Sequence, residues 1–187
     1  MAKVDKNIII QGLSGSLGDQ LVIQTGRGGQ TIIRSKPRPS TQPPSAAQLE
    51  ARQKFQDATA YAKGAKDHPV YAEKAAGTTK TPYNVAVADW FHPPEVVEID
   101  LEAWNGAVGE ILRARVRDDV QVNSVHFLIA QEDGNLVEAG PGILAEDGLW
   151  WQYQTTVDHP GGAATVLVTA GDLPGHETSL EAGKEVS

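Results

Sequence analysis

Two hydrophobic rhythms share this chain. Near the start, and again from Glu95 onward, apolar residues alternate with polar ones or come in short runs cut by glycine and proline. That is the two-residue period of half-buried strands. Between these regions apolar residues recur three and four apart, the period of helices. At the start, NIIIQ (7–11) reads as a strand, and QLVIQ (20–24) and QTIIR (30–34) as two more. Thr25-Gly26-Arg27-Gly28-Gly29 joins the latter pair, a glycine-rich loop that predicts a hairpin. SKPRPSTQPPS (35–45) predicts an extended connector. Ser45 and Gln48 then have the spacing of a capping box. Ala51, Phe55, Ala58 and Ala62 form one apolar stripe, and Gly64 is the expected stop. A second helix is expected over PVYAEKAA (69–76), between Pro69 and Gly77. A third follows Thr81-Pro82, with Tyr83, Ala86, Val87 and Trp90 on one face, and His92-Pro93-Pro94 ends it.

From Glu95, seven strand signals succeed one another: 96–101, 110–118, 124–131, 135–140, 149–157, 163–170 and 177–182. Alternation assigns their faces. Leu112, Ala114 and Val116 point one way, and Arg113, Arg115 and Arg117 the other. Val125, Phe127 and Ile129 point inward together with Trp151 and Tyr153, so Trp150 faces outward with Gln152 and Gln154. The expected fold class is mainly β with a small helical part. Residues 1–94 form an N-terminal β-hairpin/helix domain, with 1–11 as a candidate assembly arm. Residues 95–187 form an immunoglobulin-like β-sandwich.

Composition supports a turn-rich chain, with 19 glycines and 11 prolines in 187 residues, and no cysteine to form disulfide staples. The longest early apolar run, Ile8-Ile9-Ile10, is too short for a secretory h-region, and no run approaches the ~18 residues of a membrane span. The expected setting is therefore cytoplasmic or particle-associated, or reached by an export route that the sequence does not display. The net charge of −8 is divided unevenly. Residues 1–94 carry twelve Lys/Arg against seven Asp/Glu, and residues 95–187 carry four against seventeen. Oppositely charged halves favour head-to-tail contact between copies.

Candidate chemistry adds little. The stretch 12–18 lacks the lysine and following helix of a phosphate loop; Ser14 misses the last glycine of a nucleophile elbow, and Ser16 lacks the elbow's spacing. His68, His92, His126, His159 and His176 are scattered without a ligand spacing. Asp118, Asp119, Asp133 and Asp172 sit in loops, where carboxylates either hold calcium or bond their own backbone. The basic residues Arg27, Arg34, Lys36, Arg38, Arg52 and Lys54 have no aromatic neighbour in 12–54 on which a base would stack, which argues against nucleic acid. No cofactor, metal or enzymatic activity is expected.

The stretches DDVQVNSVHFLI, EDGNLVEAG, EDGLWWQYQTT and ATVLVTAGDLPGHETS resemble bacterial immunoglobulin-like modules over residues 95–187. Their A-x-D-x-x-G-N motif reads here Ala170-Gly171-Asp172-Leu173-Pro174-Gly175-His176, with histidine for asparagine. The resemblance implies a fold used in spacers, adhesins and assembly units. Over about residues 8–91 the chain resembles an uncharacterised bacterial and phage-like family with the pattern G-x-S-G-x-x-G, R-S-K-P and A-Q-x-x-x-R-x-x-F. These are residues 12–18, 34–37 and 47–55, with Arg52 and Phe55 in register. It implies a fold unit and no activity.

The expected function is a non-enzymatic structural subunit of a filament, surface or phage-like particle, with other copies of itself as partner. The alternative is a module binding a glycan or another protein through the face around Trp150. Candidate contact residues are Ile8, Ile9, Ile10, Arg27, Arg34, Lys36, Arg38, Arg113, Arg115, Arg117 and Trp150.

Overall fold

The computed structural model describes residues 2–4, 13–26, 28–37 and 42–186, which fall into two compact units. The first unit spans Met1–Phe55 with Gly77–Thr79. It holds an antiparallel sheet of β1 (Ala2–Val4), β2 (Gly15–Leu17), β3 (Leu21–Thr25) and β4 (Thr31–Ser35), in the order β1-β4-β3-β2. The expected hairpin is β3–β4, with Leu21 opposite Ser35 and Thr25 opposite Thr31. Its loop is closed by Gly26 N donating to Gln30 O (2.8 Å), and Gly29 supplies a φ of +80°. Part of the glycine-serine stretch is itself strand β2, turned back onto β3 at Gly18. The strand expected at 7–11, with Ile8, Ile9 and Ile10, lies outside the described residues, as do Arg27 and Arg38. The other neighbour of β4 is β1, whose three residues carry no periodic signal.

Helix α1 (Ala46–Ala65) begins at the expected capping box. Ser45 N donates to Gln48 Oε1 (3.0 Å), and Gln48 N donates to Ser45 Oγ (3.3 Å). It ends one residue beyond Gly64. Its apolar stripe is covered only in its second half: Ala58 and Ala62 are buried, while Ala51 and Phe55 are exposed. The division between the units falls inside this helix, at Phe55/Gln56, and not at Pro94. The reason is packing. Helices α2 (Pro69–Ala75) and α3 (Pro82–Trp90) build a core of Ala62, Tyr71, Ala75, Val85 and Ala86 against which Val120 and Leu173, from the following β region, are packed. Both helices start as expected with proline in the first turn, and Thr81 Oγ1 accepts from Asn84 N (3.0 Å).

The rest of the second unit is a sandwich of β5 (Glu95–Asp100), β6 (Ile111–Arg117), β7 (Val122–Gln131), β8 (Leu136–Pro141), β9 (Ile143–Leu144), β10 (Trp150–Gln154), β11 (Gly162–Asp172) and β12 (Glu177–Val186). The sheets run β5-β6-β10-β9 and β12-β11-β7-β8, antiparallel throughout. The chain changes sheet after β6, β8 and β10, which is the strand arrangement of an immunoglobulin-type sandwich. The expected fold class holds, and all seven expected strands are present. The eighth, β9, is two residues long and gives no alternation to read. Leu112, Ala114, Val125, Phe127, Ile129, Tyr153, Val166 and Val168 fill the space between the sheets, with Trp104 beside them. The crossing from β8 to β9 requires Gly142, because a Cβ there would lie 2.8 Å from the Phe127 ring.

Candidate functional site

The outer face of sheet β5-β6-β10-β9 collects four of the expected contact residues. Strand parity places Arg113, Arg115 and Arg117 of β6 away from the core, with Leu112 and Ala114 buried beneath. Pairing then fixes their neighbours. Ile143, Gln152, Arg113 and Asp100 form one row across all four strands, and Trp150, Arg115 and Glu98 form the next. Each arginine meets a carboxylate of β5. Arg113 bonds Asp100, Arg115 Nη2 lies 2.9 Å from Glu98 Oε2, and Arg117 donates through Nε (2.9 Å) and Nη2 (2.7 Å) to Glu95 Oε2. The Glu102 N–H and then the Arg113 guanidinium hold the Asp100 carboxyl below the usual carboxylate range. The guanidinium carbons of Arg113 and Arg115 lie 5.2 and 5.9 Å from the centroid of the Trp150 ring, which is half-buried under them.

The face is therefore graded from edge to edge. Carboxylates line β5, guanidiniums line β6, and aromatic and aliphatic groups line β10 and β9. Ile143, on this face of the edge strand, is 74% exposed; Leu144, opposite Trp151 and so turned to the other side, is 47% exposed, and Leu149, just before β10, 62%. The arginine stripe is neutralised within its own sheet, because each guanidinium finds a carboxylate on β5. That ladder escapes a reading by alternation, since a β-bulge between Val96 and Glu98 breaks the two-residue spacing of Glu95, Glu98 and Asp100. The other expected contact residues belong to the first unit. Arg34 lies exposed on β4 opposite Val22, and Lys36 Nζ bonds Asp19 Oδ1 (2.8 Å).

A second group lies where the helices meet the sandwich loops. Asp89 of α3 is 1% exposed and accepts from Tyr71 Oη at Oδ2 (2.6 Å), while its Oδ1 is buried without a partner. Burial pushes its carboxyl up to about 6 against the lowering effect of that hydrogen bond, and Asp118, Asp172 and Asp119 add like-charge repulsion. Burial likewise raises Asp118. The loop aspartates considered for calcium serve the backbone and nearby side chains. Asp118 Oδ1 accepts from Val120 N and Gln121 N, Asp133 Oδ1 from Asn135 N, and Asp172 from His176 N and Nδ1, while Asp119 meets His92 Nδ1 at 3.0 Å. Among the described residues no three His, Cys, Asp or Glu side chains are grouped to hold a metal ion. Asp89 gave no signal in the sequence, where it is one polar residue on an amphipathic helix.

No protein-family model matches the chain, and no curated protein matches it. Among solved structures, the chain is similar to CopC from Methylosinus trichosporium OB3b, at 16% identity and a TM-score of 0.39 over 50% of this chain and 92% of that one. It is also similar to an engineered protein, at 18% identity and a TM-score of 0.38 over 57% of this chain and 27% of that one. A tetra-tandem repeat from the extending region of a large adhesion protein matches at 24% identity and a TM-score of 0.36, over 50% of this chain and 23% of that one. Among the described residues no helix is long and apolar enough to cross a membrane.

Proposed function

We propose that the protein is a non-enzymatic structural subunit that joins other copies of itself, with the β9 edge and the adjoining Trp150 face as its contact surface. The supporting observation is the exposure of Ile143 and Leu144 on edge strand β9 and of Leu149 just before β10, which together leave an aliphatic patch at this margin of the sheet. An unpaired sheet edge carrying exposed aliphatic side chains favours pairing with another chain. The neutral arginine–carboxylate ladder beside it lowers the electrostatic cost of covering that face. The apolar segment at Ile8, Ile9 and Ile10 supplies a β-prone strand to a neighbouring edge in the same scheme.

Light scattering on a size-exclusion column, at low and high salt, tests this. The native protein is expected to elute as a multimer. Ile143→Lys combined with Leu144→Lys is expected to give monomers, since lysine on an edge strand opposes strand addition. Removal of residues 1–11 separates the contribution of the N-terminal segment. A native protein that is monomeric at every concentration overturns the assembly reading. Trp150, stacked under two arginines, supports the second reading, a glycan- or protein-binding face. In that case a monomer shifts on adding the ligand, and Trp150→Ala abolishes the shift.

A further inference from the structure

A cavity of about 380 Å³ opens between the second half of α1, the start of α2 and the turn between β11 and β12. Tyr61, Ala65, Asp67, His68, Tyr71 and Leu173 line it. Its wall is aromatic and aliphatic, with the His68 ring set edge-on to the Tyr71 ring at 6.0 Å. Two of the lining residues, Tyr61 and Tyr71, belong to a chain of hydroxyls that leads inward to Asp89. Tyr71 Oη donates to Asp89 Oδ2 (2.6 Å), and Tyr61 Oη lies 2.6 Å from Tyr71 Oη.

The direction of this chain follows from the inventory of protons. A phenol has one O–H to give, and that of Tyr71 goes to the carboxylate. The Tyr61–Tyr71 bond must then be made by the Tyr61 proton. Every hydroxyl donates inward, so the outermost oxygen, Tyr61 Oη, is left as an acceptor polarised by the carboxylate behind it. Tyr61 is half-buried, so this oxygen is not swamped by bulk water. Asp67 adds a carboxylate to the cavity lining. An acceptor oxygen, a carboxylate and aromatic faces together make a site for a cation that carries N–H donors.

We propose that this cavity binds a small organic ammonium, with the amine donating to Tyr61 Oη, Asp67 supplying opposite charge and the apolar part lying against Tyr71, Ala65 and Leu173. This site is separate from the Trp150 face and stands or falls independently of assembly.

Benzylammonium is a fitting probe, and benzyl alcohol is its neutral counterpart with the same ring. Binding is read from tyrosine ring resonances and from calorimetry, with ligand raised to about 10 mM, above the millimolar Kd of a weak fragment. The expected result is saturable binding of benzylammonium with shifts at Tyr61 and Tyr71, and at least tenfold weaker binding of benzyl alcohol. Tyr61→Phe keeps the ring and removes the acceptor, and it is expected to weaken benzylammonium by about tenfold. Asp67→Asn, a change at the helix connection that leaves the hydroxyl chain intact, is expected to weaken it by a smaller factor. Equal binding of the alcohol, binding indifferent to both substitutions, or no shift at the highest concentration would each overturn the proposal.

Discussion

Glu138 shows how much one buried side chain organises here. Its Oε2 accepts from three donors: Tyr153 Oη (2.9 Å), Thr156 N (2.9 Å) and Thr156 Oγ1 (2.8 Å). Burial, and then the bond to Glu138, raise the Tyr153 hydroxyl above its ordinary value, so it remains a donor at any physiological pH. These bonds tie β8 of one sheet to β10 of the other. Replacing Glu138 with leucine leaves all three donors without their acceptor, the buried Tyr153 hydroxyl among them, and we expect a loss of about 2–4 kcal/mol in urea unfolding. Glu138→Gln keeps an acceptor and is expected to lose less than half as much. Equal losses for the two variants would show that the carboxylate does not act as the common acceptor.

At the scale of elements, the outer ladder and the first helix behave differently. The Arg117–Glu95 pair is exposed on both sides, and such pairs contribute about 0–1 kcal/mol. Asp100 is only 15% exposed, and its partner Arg113 also lies over Trp150. We therefore expect Arg113→Ala to cost about 1–2 kcal/mol and to shift Trp150 fluorescence, with Arg117→Ala below about 0.5 kcal/mol and spectrally silent. Reversal of that order in chemical unfolding would show that the stacking contributes nothing. Helix α1 has a formed cap but no buried side chain before Ala58. Loss of the cap in Ser45→Ala, worth about 1 kcal/mol, should appear as faster amide exchange in the first turns, with the midpoint of global unfolding unchanged.

For the whole second unit, the Asp89 region sets the response to pH. A folded-state value of about 6 lies above that of an unfolded aspartate, so between the two the folded state holds more protons. Stability therefore rises as pH falls through that window, and the penalty is fully present above it. The groups facing Asp89 are Tyr71 of α2, Tyr61 of α1 beyond it, and Asp118, Asp119 and Asp172 of the sandwich loops, where Asp119 meets His92 and Asp172 meets His176. Asp118, also raised by burial, acts in the same direction, whereas Asp100, lowered, acts in the opposite direction at lower pH. Asp89→Asn keeps an acceptor for Tyr71 and removes the buried charge. We expect it to stabilise the protein by roughly 3 kcal/mol at pH 8, with the gain vanishing near pH 4. Thermal unfolding of the two proteins at both pH values measures this, and a constant difference would exclude Asp89 as the titrating group.

Much of this architecture is local and so was written in the sequence. Alternation at residues 111–117 and 125–129 fixed which side chains enter the sandwich, and the spacing of Ser45 to Gln48 fixed where α1 begins. Proline and glycine punctuated α2, α3 and the β3–β4 hairpin, because their backbone limits act within a residue or two. What periodicity could not supply is what covers a face once it is formed. Phe55 lies in register with Ala58 and Ala62 yet is exposed, since the stripe names a side of the helix and not its neighbour. The carboxylates that neutralise Arg113, Arg115 and Arg117 come from a bulged strand, and Asp89 is buried by residues far along the chain. Such pairings depend on contacts between distant segments, and only the tertiary structure decides them.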